Sequence, residues 1–487
     1  MKQNVLFYVV FFSTFQFALL CQEWLPLGSP ILGDTESRLG FSTSISADSN
    51  RIAVGAPTDN STGDVLGKVL TFSWNGSDWQ PMGDPFLGHE NNGRFGIHVA
   101  LSGNGSMLVV SEHLHSGGGV SQGAVFIYRW TGVAWEEDGV LYGSNFQDFF
   151  GSGDVSISLD GNTVAIGSQN VDVNGIVNAG QIAIFERLGP QQWVPKGTPI
   201  SGGSENLGLG RVALNGDGSR FALGAFGHDE NRGLAQVYLF ENGDWSKVAQ
   251  FPGDIPGRRL GFSVSMNEEG TVIAASSAQH SSGIFGGQGY IYKEDTIGDW
   301  SQYGSTIVDA PEEYFGADLV LNGVGDLLAI GAPDFVNGGG GKVFTFKDDG
   351  TSFQPYNTIL IGEVGDSFGT GLSFNTSGSR LSVGATDANN NSGKVQTYID
   401  NILATPESSL LQEIVVFPNP VGEYIQFQLP SEIPQVNATL FDTKGSVLME
   451  KHAVFQNQKL TIPYPQGIYL LEMEYNGNTL TKKIIKQ

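Results

Sequence analysis

The strongest constraint on this chain is a unit of about 55 residues that recurs seven times. Aligned on an aromatic-Gly or Leu-Gly step, the copies read LGFSTSISADSNRIAVGAP from Leu39, FGIHVALSGNGSMLVVSE from Phe95, FGSGDVSISLDGNTVAIGS from Phe150 and LGLGRVALNGDGSRFALGA from Leu207. LGFSVSMNEEGTVIAASS from Leu260, FGADLVLNGVGDLLAIGAP from Phe315 and FGTGLSFNTSGSRLSVGAT from Phe368 complete the set. The key glycines are Gly40, Gly96, Gly151, Gly208, Gly261, Gly316 and Gly369, spaced 56, 55, 57, 53, 55 and 53 residues apart. Such a period holds four strands of five or six residues with their turns. A repeated four-stranded sheet is one blade of a β-propeller.

Each copy supplies the four strands in order. The first follows the key glycine, and the second ends at a GAP-like triplet such as Gly55-Ala56-Pro57 or Gly331-Ala332-Pro333. The third is a Gly-led alternating run, for example Gly67-Lys68-Val69-Leu70-Thr71-Phe72, and the fourth opens on Trp79, Trp135, Trp193, Trp245, Trp300 or Phe353. The seventh copy stops after its third strand. Its missing partner is at the other end of the chain, where Trp24-Leu25-Pro26-Leu27-Gly28 matches Trp79-Gln80-Pro81-Met82-Gly83. The expected fold is therefore all-β, a seven-bladed propeller over residues 22 to 400 closed by the N-terminal strand, which leaves no open edge. The tryptophans are expected to pack between blades.

The 487 residues divide further. Lys2 followed by the apolar run Val5 to Leu20 reads as a signal peptide over residues 1 to 21, and no later segment is apolar enough to span a membrane. Cys21 is the single cysteine, so cleavage behind it leaves a chain without disulfides. A lipoprotein anchor at Cys21 is the alternative, but Leu20 is large for that processing. Residues 401 to 412 read as a linker, and residues 413 to 487 as a separate small β-sandwich.

The FG and GAP elements make residues 24 to 400 resemble the FG-GAP, integrin-α-type propellers. That family often carries calcium loops between the first and second strands. Here those turns are as short as Asp160-Gly161-Asn162, so the calcium sites are not carried over and no cofactor is expected. The last segment resembles the type A sorting domain of type IX secretion, through Pro418-Asn419-Pro420, Gly445, Gly467 with Tyr469, and the closing Lys483 and Lys486. The resemblance implies a Bacteroidetes-type host, passage through the periplasm, recognition of residues 413 to 487 by the secretion machinery, and a product on the cell surface or in the medium.

Net charge is −25, and the acid lies in the large domain, where residues 22 to 400 hold 42 acidic against 18 basic side chains. A surface of that sign repels nucleic acid and suits cations or basic partners. The loops joining strands 2 and 3, and those leading into strand 1, emerge on one face, which is where a glycan, protein or cationic ligand is expected. Asp148, Glu205, Glu313 and Asp366 each stand three residues ahead of a key glycine, either as a ring of carboxylates or as caps of their own loops. Glu112, His113 and His115, with His228 and Asp229 in the equivalent loop two blades on, are further candidate ligand residues, and His113-x-His115 has the spacing of a partial metal site. Asn170-x-Asp172-x-Asn174-Gly175 resembles the opening of a calcium loop without its closing glutamate. No nucleophile elbow, HExxH helix or phosphate-binding loop occurs. The expectation is a non-catalytic binding or adhesion propeller, with a polysaccharide lyase or hydrolase and a surface-layer component as alternatives.

Overall fold

The structure is a computed structural model that describes residues 23–116, 121–144, 147–205, 207–278, 286–296, 298–308, 314–334, 338–401, 414–418, 420–429, 433, 435–442, 446–475 and 478–486. The residues read as a signal peptide, almost all of those read as a linker, Glu313, Asn419 and Gly445 lie outside them.

Residues 24 to 400 form seven antiparallel sheets of four or five strands. In blade 1 the order from the centre outward is Ser42–Ile45, Arg51–Ala56, Lys68–Trp74 and Trp79–Pro81. The second strand of each sheet is buried on both faces, as in Met107–Glu112 and Leu327–Ala332, because neighbouring blades cover it from both sides. In blade 7 the outermost strand is Trp24–Leu32, paired antiparallel with Lys394–Asp400, as the sequence predicts.

The inner strand of each sheet packs against that of the next, and the seventh against the first. The core is correspondingly divided into seven clusters, each drawing residues from two adjacent blades. The strand-4 tryptophans lie in these seams. The indole N–H of Trp79 donates to Thr397 Oγ1 (2.8 Å), that of Trp135 to Thr71 Oγ1 (3.0 Å), that of Trp245 to the Lys196 carbonyl (2.7 Å) and that of Trp24 to Thr345 Oγ1 (3.2 Å). Each reaches the preceding blade, so the bulky ring gains burial and its one polar atom gains an acceptor.

At the end of the ring formed by the 1–2 turns, backbone groups make a second closed circuit. The N–H groups of Asp48, Gly103, Leu159, Gly216, Glu268, Val324 and Thr376 donate in turn to the carbonyls of Gly103, Leu159, Gly216, Glu268, Gly323, Thr376 and Ala47. Every turn thus grips the next, and this end of the channel is drawn tight. Each turn is closed by its first residue, Ser46, Ser102, Ser158, Asn215, Asn267, Asn322 or Asn375, whose side-chain oxygen accepts the backbone N–H five residues on.

Residues 414 to 486 make a three-stranded and a four-stranded sheet around their own core, which includes Ile425, Phe427, Leu440, Leu471 and Ile484. Tyr469 is buried there and donates its hydroxyl to the Pro465 carbonyl at 2.7 Å. Gly467 opens the third strand of the larger sheet and pairs with Lys486, while Lys483 pairs with Leu470. Pro418 and Pro420 are exposed beside the first strand.

Candidate functional site at the channel mouth

A cavity of about 680 Å³ occupies the channel and is lined by the inner strands of all seven blades. This volume suits a small molecule or one unit of a larger one. Four residues ahead of each turn-opening Ser or Asn, the repeat places one residue on the cavity wall. Round the ring these are Ser42, His98, Asp154, Arg211, Ser263, Asp318 and Gly371. Because the position is set by the repeat but its residue changes from blade to blade, it carries local chemistry rather than shared architecture.

The charged members touch one another. His98 Nδ1 lies 3.5 Å from Asp154 Oδ1, and Arg211 Nη1 donates to the same oxygen at 3.0 Å. Burial holds the His98 imidazole down at about 4, against the pull of the Asp154 carboxylate, so the ring is neutral at neutral pH. Asp318 accepts the N–H of Leu372 on the next blade (2.9 Å) and the Ser263 hydroxyl (3.3 Å). Burial nevertheless pushes its carboxyl up to about 7. Ser42 and Ser263 hold the neighbouring strand similarly, accepting the N–H of Val99 and of Leu319. At the long-loop end, Arg38, Phe41, Phe262, Tyr314 and Asp387 complete the wall.

The residues singled out in the sequence lie mostly elsewhere. Asp366 is buried and paired with Lys394 Nζ at 2.6 Å, and Asp148 is buried in its own loop, whereas Glu205 is exposed. The structure does not gather these carboxylates around the channel. His113 and His115 diverge. His115 Nδ1 faces buried Glu112 (3.2 Å), which also accepts the His89 N–H (2.9 Å), while burial, with His98 and Arg94 nearby, lowers His113 to about 4. Asp229 pairs with Arg232 at 3.0 Å in a short turn that begins at His228. Asp172 accepts the N–H of Asn178, closing its own loop. Among the described residues, no group of three or more His, Asp or Glu side chains is arranged to hold a metal ion.

The sequence reading missed the seven channel positions, because attention to what the copies share passes over a position defined by its differences.

The family model described as the secretion system C-terminal sorting domain matches residues 415–487. The chain ends in a type IX sorting domain. It is therefore exported to the cell surface or released, and no helix among the described residues is long and apolar enough to cross a membrane. No curated protein matches the chain. Among solved structures it is similar to a putative 6-phosphogluconolactonase from Bacteroides fragilis, with 15% identity, 67% of this chain and 85% of that one covered, and a TM-score of 0.46. The periplasmic gluconolactonase of Pseudomonas aeruginosa gives 15% identity, coverage of 85% and 99%, and 0.47. TolB from Acinetobacter baumannii gives 15%, coverage of 65% and 65%, and 0.38. Likeness of this degree does not extend to activity.

Proposed function

We propose that this exported propeller is a binding or adhesion module whose ligand enters the channel from the long-loop end. The observation that supports this most directly is the cavity itself. It brings one residue from each of seven blades together on a rigid frame, six of them with polar or charged side chains, with charged groups and half-buried aromatics at one mouth and a tight turn circuit at the other. The test is a glycan array probed with the mature chain and with Ala317→Trp. Ala317 lines the cavity at the repeat position where blades 1 and 5 carry Phe41 and Phe262, so the frame accommodates an aromatic there. Retained binding by the filled channel would place the ligand elsewhere.

One observation favours catalysis on a polysaccharide as a second reading. Asp318, a carboxyl poised near neutrality, shares its cavity with the ion-paired Asp154, and carboxyls held in different states are the equipment of general acid–base chemistry. Turnover of a polysaccharide that Asp318→Asn abolishes, with binding retained, would select it.

A further inference from the structure

On the long-loop face, acids and arginines are sorted differently about the channel. Four acids of the links are engaged locally. Asp34 pairs with Lys68 and Asp366 with Lys394, each at 2.6 Å, Asp254 pairs with Arg258 at 3.3 Å, and Glu90 accepts the Ser116 N–H at 2.7 Å. Lys68 and Lys394 open the third strand of their blades, two strands away from the channel.

The arginines occupy another position. The residue two ahead of the key glycine takes a left-handed conformation, with φ of 52° at Arg38, 58° at Arg94, 60° at Arg259 and 65° at Tyr314. Arg38, whose Nε lies 3.9 Å from Asp387 Oδ1, lines the cavity with Tyr314, and the repeat puts Arg94 and Arg259 at the equivalent place in blades 2 and 5. A left-handed non-glycine residue is costly, and recurrence of that cost around one opening marks a shape the fold maintains. Deeper in, the Arg211 guanidinium lies 5.5 Å from the Phe262 ring centre. Its Nη1 is bound to Asp154, but its Nε is buried with no hydrogen-bond partner. Arg211 nevertheless lines the cavity with 22% of its side chain exposed, so a charge-assisted contact from an incoming anionic oxygen is open to the accessible part of its guanidinium.

We infer that the channel mouth receives an anionic sugar unit, a uronate or a sulfated pyranose, with its acid group on Arg211 and Arg38 and its ring against the aromatic wall of Phe41, Phe262 and Tyr314. This rests on the channel being the ligand site. It reverses the expectation of a cationic ligand raised by a net charge of −25, since of the acids lining the cavity Asp154 is already bound by Arg211 and Asp318 holds the Leu372 N–H. Guanidinium groups fit planar carboxylate and sulfate oxygens better than ammonium does, which suits arginine at these places.

The experiment is calorimetric titration of the mature full-length chain with galacturonate trimer, a sulfated galactose trimer and the neutral galactose trimer, at low and high salt. One of the two acidic trimers should bind about tenfold or more tighter than the neutral one, as charge-assisted contacts require, and should weaken as salt rises. Which acidic trimer binds distinguishes carboxylate from sulfate. Arg38→Gln, at an exposed position, should lose most of that preference. Equal affinity for neutral and acidic trimers, no binding of either acidic trimer, or an unchanged Arg38→Gln overturns the inference. If the acidic trimer instead still binds Ala317→Trp, the channel reading fails and the inference falls with it.

Discussion

A methyl group placed on Gly384 would lie 1.9 Å from the carbonyl oxygen of Gly40. The first glycine belongs to the GAP-like end of strand 2 in blade 7, the second to the aromatic-Gly step of blade 1. The same approach recurs between Gly55 and Gly96, Gly224 and Gly261, and Gly331 and Gly369. The two glycines that define the repeat therefore meet across blades in these seams: the strand-2 glycine is small because the key glycine's carbonyl is there, and the key glycine is small because its own φ is positive and a third-strand carbonyl lies against it. Gly384→Ala should destabilise the propeller by about 3 kcal/mol, since only backbone movement can relieve the overlap. Chemical denaturation followed by tryptophan fluorescence measures it, and a change below about 1 kcal/mol would deny the contact its role.

Trp24 closes the ring from the other side. It is buried, packs 6.0 Å from Phe374 and donates to Thr345. Trp24→Ala should cost about 3 to 5 kcal/mol, and Trp24→Phe less, because it keeps the burial and loses one hydrogen bond. Equal effects of the two would show that packing contributes nothing beyond the indole N–H.

The channel predicts two opposed pH dependences. His98 is held at about 4, below its value of 6.5 in the unfolded chain, so between those limits the unfolded chain binds a proton that the folded one refuses. Its contribution is fully present above 6.5 and is lost as pH falls towards 4. Asp318 is raised from 3.8 to about 7, so the folded chain keeps a proton that the unfolded one releases, and stability drains away as pH rises from 4 to 7. Asp318→Asn should gain on the parent by about 4 kcal/mol between pH 4 and 8, and His98→Gln should flatten the acid limb. Thermal melts across that range decide it, with curves parallel to the parent as the contrary result.

Asp366 is expected to act as a loop cap. Asp366→Asn should lower stability by about 1 to 3 kcal/mol through the loss of its lysine partner, and leave saccharide affinity unchanged. A loss of affinity without loss of stability would return the carboxylates of the links to the binding site.

Removing residues 413 to 487 should stop export and leave folded propeller in the periplasm, because among the described residues the strands of the seven sheets pair only within those sheets. Cell fractionation with a fluorescence melt of the retained protein tests both halves of that statement.

Architecture was legible in this chain because the propeller repeats its instructions. The aromatic-Gly or Leu-Gly steps, the Ser or Asn that opens each turn, and the seam aromatics, six tryptophans and Phe353, are the same short-range solution written seven times, and even Trp24 announces its partner by matching Trp79. The sorting domain was legible for a similar reason, since its motifs stand in a fixed order at the end of the chain. The site followed another rule. Ser42, His98, Asp154, Arg211, Ser263, Asp318 and Gly371 are spread over 330 residues and share only a phase along their strands. Their meeting depends on closing the ring, and closing the ring is also what buries His98 and Asp318 and moves their protons. The same closure decides that Asp34 and Asp366 face lysines while Arg38 faces the cavity. Local pattern determined the blades and the destination of this protein, whereas the direction of each charge was settled by tertiary structure, because only packing decides which partner a side chain meets.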